Sequence, residues 1–103
     1  MIRYPARVII VDELSNERLI LDGAWLEKQR GGHSVTRVPA ASFRGVQWKD
    51  VERRTSLFGR EKEQLVQVTL SFEGGPFVGL LAAAGKRPDL ESLVHGLEAA
   101  RSA

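Results

Sequence analysis

In QLVQVTLSF, residues 64–72, Val66, Val68, Leu70 and Phe72 fall on one face of an extended chain, and Gln67, Thr69 and Ser71 on the other. Side chains alternate across a strand, so this spacing predicts a strand covered on one face. Gly74-Gly75-Pro76 follows as a turn, and PFVGLLA, residues 76–82, returns as the partner strand. Both faces of that return are apolar, which predicts cover on both sides or a lead into the connection at 82–86. Near the carboxyl end the rhythm changes. In RPDLESLVHGLEAARSA, residues 87–103, Leu90, Leu93, Val94, Leu97 and Ala100/Arg101 recur at helical spacing and form one apolar stripe. Pro88 suits the first helical position, and Asp89 and Glu91 suit the positive end of the helix dipole. Arg87 would then be a poor N-cap, with Asp89 the competing choice.

The chain upstream reads as more strand and turn. Val35–Val38 is a strand stopped by Pro39. In RVPAASFRGVQWK, residues 37–49, Phe43 and Val46 lie on opposite faces by parity, whereas Val46 and Trp48 share one; a bulge or corner near Gly45 would let all three point inward. In RLILDGAWLEKQR, residues 18–30, Asp22-Gly23 between apolar runs predicts a hairpin with a type I′ turn. Leu26 is expected inside, and Trp25 at least partly outside, under the N-terminal strand. Gly31-Gly32-His33-Ser34 is a second turn, ELSNE, residues 13–17, another, and Val8–Val11 a short strand ended by Asp12 and Glu13. The expected fold is mainly β with one C-terminal helix. About seven mostly antiparallel strands would form a strongly bent sheet or partly open barrel, its exposed end plugged by the helix.

Composition bounds the function. A chain of 103 residues suits one domain, and 43% hydrophobic residues suffice for a core. Cysteine is absent, which removes disulfides, thiolate metal sites and thiol nucleophiles together. Fifteen basic residues against thirteen acidic ones give a net charge of +2, and neither half of the chain is strongly basic, so a nucleic-acid footprint is disfavoured. The longest apolar run near the N-terminus, Val8–Val11, is too short for a signal peptide or a membrane span, which predicts a soluble, cytoplasmic protein.

LILDGAWLEKQR, RVPAASFRGVQWK and the final Leu/Val helix together resemble the bacterial pleckstrin-homology-like (PH-like) domains, and most closely a group of them in actinobacterial proteins. The resemblance covers roughly residues 18–101. The chain departs from that pattern at Lys28, where an aliphatic residue is usual, and at Phe43, where isoleucine is usual. The resemblance implies a small bent barrel capped by the C-terminal helix, serving as a platform for protein, peptide or lipid contacts; it implies no catalytic activity.

The residues agree. His33 sits in a glycine-rich turn and His95 on the polar flank of the helix, and no nucleophile, metal-ligand or P-loop spacing accompanies them. No catalytic residue, cofactor or metal is therefore expected. Gly74-Gly75-Pro76 lacks the lysine and the following helix of a phosphate loop. Trp48-Lys49 could be an exposed platform for a base or a peptide, but parity with Val46 places Trp48 beneath the C-terminal helix, with Lys49 in solvent at the strand's end. Phosphoinositide binding is disfavoured because the early hairpin turn carries Asp22 and no lysine cluster. The strongest contact candidate is KDVERRTSLFGREKE, residues 49–63, where Leu57 and Phe58 are flanked by Arg53, Arg54, Arg60 and Lys62. An apolar tip ringed by cations suits a protein partner or a membrane interface. Five cations against four acids weaken the anionic-lipid version; alternatively, Leu57 and Phe58 extend a strand and fold under the barrel rim. The expected role is an interaction module for a protein or peptide, bound at a strand edge or this interval, or pairing with itself.

Overall fold

The computed structural model describes the backbone of residues 8–12, 16–54 and 62–102, and the side chains of 16–53 and 62–102. Four strands form the first sheet: β1 (Val8–Asp12), β2 (Glu17–Asp22), β3 (Trp25–Arg30) and β4 (His33–Pro39), antiparallel and in chain order. A 3-10 turn, Ala40–Ser42, leads to the second sheet, β5 (Phe43–Arg54), β6 (Lys62–Phe72) and β7 (Phe77–Ala83), again antiparallel and in chain order. A second 3-10 turn, Ala84–Lys86, runs directly into α1 (Arg87–Ser102). Among the described residues no strand ladder joins β4 to β5, so the sheets are separate and the barrel is not closed.

The turns explain the hairpins. The loop between β2 and β3 is Gly23-Ala24, one residue later than expected, because Asp22 still pairs with Trp25. Positive φ falls on Gly23 alone (56°), which suits a type II′ turn and not type I′. The two-residue loop with positive φ at both positions is Gly31-Gly32 (59° and 81°), between the paired Arg30 and His33.

Parity in β6 holds. Val66, Val68, Leu70 and Phe72 are buried, and they meet Val78, Leu80 and Ala82 of β7 on the same face. Leu19, Leu21, Leu26 and Val38 of the first sheet close the core from the other side, and Leu90, Leu93, Val94 and Leu97 of α1 complete it. The ladder steps from Phe43–Phe72 to Gly45–Ser71, so Arg44 is an extra, bulged residue. That bulge restores inward parity: Phe43 is buried edge-to-face on Phe72 (centroids 5.8 Å apart), and Val46 and Trp48 pack against the core.

Three expectations change. Of the two alternatives for the return strand, β7 takes the second, leading into the 3-10 turn Ala84–Lys86, and is not covered on both faces: Phe77 (71% exposed) and Leu81 (37%) lie on the outer one, in register with Ser71 and Gln67. Around them that face carries the polar Gln67, Thr69 and Ser71, whereas Leu65, farther along it between Val51 and Ala83, is buried. Arg87 already has helical dihedrals (φ −54°, ψ −43°), so it is not the N-cap, and Asp89 lies inside the first turn. The described residues of the polar interval, 49–54 and 62–63, are strand, with β5 continuing to Arg54 and β6 starting at Lys62.

Candidate functional site

β5 has 12 residues and, at about 3.3 Å per residue, spans about 40 Å. β6 pairs with one of its sides; no strand pairs with the other among the described residues. An outer strand of this length offers backbone donors and acceptors to an added strand. Its first half passes beside α1, and the inward row Val46, Trp48, Asp50 faces the helix side of the core.

Trp48 is half-buried in that row, as parity with Val46 requires, and Lys49 is exposed in mid-strand, not at the strand's end. What the sequence did not foretell is Arg87. Its guanidinium lies over the Trp48 ring, 4.8 Å from the centroid, and pairs with Asp50 (3.5 Å) and Glu91 (3.1 Å). The i,i+4 spacing of Arg87 and Glu91 was readable from the chain. The contact with Trp48 joins residues far apart in sequence and was not.

At the start of β5 the bulge has a second effect. It turns the Arg44 carbonyl toward α1, where Arg101 Nη1 donates to it at 3.1 Å. Arg44 Nη2 lies a loose 3.8 Å from Glu73. Phe43, Arg44, Gly45, Glu98, Arg101 and Ser102 line a shallow groove of about 380 Å³ between this end of β5 and the last turn of α1.

The basic residues singled out around 49–63 divide. Arg53 pairs with Glu63 across the hairpin (2.7 Å), and Lys62 with Glu52 (3.0 Å). Two of the expected cations are thus already neutralised by directly opposed or diagonal acids. Arg54 ends β5 in register with Lys62, its side chain lying outside the description. Leu57, Phe58 and Arg60 fall outside the described residues.

On the first sheet, Leu26 is buried and Trp25 partly outside (40% exposed), as expected, and the group over Trp25 is Arg37 of β4, 4.5 Å from the ring centroid. Lys28, the position where an aliphatic residue was expected, faces inward opposite Leu19. Its Nζ lies 2.7 Å from Glu17 Oε2 and donates at 2.7 Å to the Gly79 carbonyl of β7, tying the two sheets together. The hydrogen bond from Lys28 holds the Glu17 carboxyl below its usual carboxylate range, with burial opposing and the Lys28 and Arg30 charges assisting.

No family model, curated protein or solved structure matches the chain. No helix among the described residues is long and apolar enough to cross a membrane.

Proposed function

We propose that this chain is a PH-like, non-enzymatic interaction module that binds an extended segment of a protein partner along the open side of β5, beside α1. What supports the family part of this reading is coarse: antiparallel strands followed by one C-terminal helix that packs on the core, where the resemblance implies a bent barrel capped by that helix. The binding part rests on one observation: a 12-residue outer strand paired, among the described residues, on one side only, with a groove against the helix at its start. Strand addition uses main-chain hydrogen bonds for affinity and side-chain pockets for choice. The 49–63 interval is a weaker contact surface than the edge, because Arg53 and Lys62 already hold acidic partners.

The test is selection of random twelve-residue peptides from a display library, followed by hydrogen exchange on the complex. Added protection of amides within residues 45–53 is expected. Protection confined to β7, or failure of any peptide to be retained at millimolar concentration, would remove the reading. Sedimentation with anionic vesicles makes the competing membrane reading an outcome: binding to vesicles without peptide binding would replace the proposal.

A further inference from the structure

One turn bond fixes which way the backbone groups of the second sheet point. At the β6–β7 turn the Phe72 amide donates to the Pro76 carbonyl (3.1 Å), so Phe72 directs its backbone toward β7. Opposed residues of an antiparallel ladder alternate between bonded and non-bonded pairs. Val78, Leu80 and Ala82 therefore bond β6, in register with Leu70, Val68 and Val66, while Phe77, Gly79 and Leu81 turn their amides and carbonyls to the outer edge of β7. The intervening residues of β6, Leu65, Gln67, Thr69 and Ser71, bond Val51, Lys49, Gln47 and Gly45. The bond from the Glu73 amide to the Ser42 carbonyl (2.8 Å) follows the same alternation. Val46, Trp48, Asp50 and Glu52 are thus left facing the outer edge of β5.

The two edges are unequal. On β7 the middle edge carbonyl, that of Gly79, already accepts from Lys28 Nζ at 2.7 Å. Lys28 reaches it from β3 of the other sheet with a largely buried side chain, and Glu17 Oε2 holds the same ammonium at 2.7 Å. An added strand would need that carbonyl for its own ladder and would have to pull a sheltered ammonium off two acceptors. Inward-pointing charges are one way in which sheets refuse a further strand. On β5 no described side chain bonds the backbone of Val46, Trp48, Asp50 or Glu52; Arg101 stops short of them, on the Arg44 carbonyl. We infer that Lys28 is a specificity-determining residue: it closes β7 to strand addition and so leaves β5, of the two edges of this sheet, as the one that takes a partner. The second half rests on the β5 reading above; the closure of β7 does not. Without Lys28 the β7 edge fits a second copy of this chain. Phe77–Ala83 carries no charge, and two such strands set antiparallel with Gly79 on the two-fold axis bring the exposed Phe77 of each against the exposed Leu81 of the other, with no like charges opposed.

The experiment uses the full chain. Lys28→Met/Glu17→Met removes the ammonium without stranding the carboxylate. Sedimentation velocity up to millimolar concentration should find the variant at double the mass of wild type, and hydrogen exchange on its dimer should find new protection at the Phe77, Gly79 and Leu81 amides. A variant that stays monomeric, or one whose added protection lies outside β7, overturns the closure. If circular dichroism finds this variant unfolded, Lys28→Leu/Glu17→Gln reads out the same pairing. A second measurement, on wild type, needs no variant to fold. A peptide selected as above should slow exchange at the Val46, Trp48, Asp50 and Glu52 amides and leave those of Phe77, Gly79 and Leu81 unchanged. Protection of the last three with Lys28 in place overturns the inference. Retention of no peptide removes the β5 reading, and the variant's dimer still decides the closure of β7.

Discussion

Leu93→Ala and Leu81→Ala delete the same three carbon atoms from two places that sequence alone treats alike. Leu93 is fully buried, with α1 laid across both sheets, whereas Leu81 sits 37% exposed on the far face of β7. Truncating a fully buried leucine loses its transfer free energy and leaves a cavity, costing about 2–5 kcal/mol. Leu93 belongs to a core cluster drawn from α1 and both sheets, which limits collapse into the space, so about 3–4 kcal/mol is the expected value. A domain near this size loses roughly 4–8 °C of Tm per kcal/mol, so the melting temperature should fall by well over 10 °C. Total stability is of order 5–15 kcal/mol, so the variant remains folded at room temperature with a visibly shortened urea baseline. Leu81→Ala removes area that water already reaches and leaves no enclosed void, for a cost of about 1 kcal/mol or less.

Urea denaturation of both variants, followed by tryptophan fluorescence, measures the difference directly. Trp48 packs against the core, so its emission reports the closure of α1 on β5. Unchanged m-values are expected, because the same surface is exposed on unfolding. A cost below about 1 kcal/mol for Leu93→Ala would mean that α1 does not seal the core. A cost for Leu81→Ala equal to that for Leu93→Ala would mean that something covers the outer face of β7. Either result breaks the arrangement on which the open side of β5 depends.

Four further outcomes follow from the structure. A double-mutant cycle of Trp48→Leu and Arg87→Met should give a coupling of about 0.5–1 kcal/mol that survives 0.5 M salt, because the stacked guanidinium is less screened than the exposed Asp50 and Glu91 pairs; additive losses would dispose of the stack. Lys28→Met should cost about 1–3 kcal/mol by stranding Glu17 and the Gly79 carbonyl, and Lys28→Met/Glu17→Met should recover much of it in chemical denaturation. Glu17 has a lowered folded-state pKa, so the stability it contributes is present above the ordinary carboxylate range near about pH 4 and is lost as pH falls through the folded value; Glu17→Gln should therefore be destabilising at pH 7, with the gap to wild type narrowing as pH falls below that range. Gly32→Ala, at φ 81°, should cost about 1 kcal/mol with no steric clash, measured against the same baseline.

What was legible in the chain was whatever depends on neighbours in sequence. The alternation in 64–72 placed Val66, Val68, Leu70 and Phe72 on the core, and the helical stripe placed Leu90, Leu93, Val94 and Leu97 there too. The parity conflict between Phe43 and Val46 pointed to a bulge or corner near Gly45, and the ladder has a bulge at Arg44. The type of the Gly23 turn was not legible, because an Asp-Gly pair fits either of two frames and the cross-strand pairing of Asp22 with Trp25 decides between them. The exposure of Phe77 and Leu81 was not legible for a related reason: β7 is the last strand of its sheet, and whether a second layer covers its outer face is a property of topology, not of local pattern.

The groove illustrates the limit most sharply. Arg44 and Arg101 are 57 residues apart, and neither stands in a charge cluster, so a count of cations pointed instead to 49–63. There, dense basic residues are interleaved with acids at cross-strand positions, and the hairpin pairs them: Arg53 with Glu63 and Lys62 with Glu52. Cations that pattern with acids on one hairpin satisfy each other there, whereas Arg101 meets Arg44 from a separate element, through the carbonyl that the bulge presents. The parity break at Phe43-Arg44-Gly45 was therefore the better pointer, because a residue that cannot join the ladder must direct its backbone and side chain elsewhere, and here that direction is toward the carboxyl end of the helix.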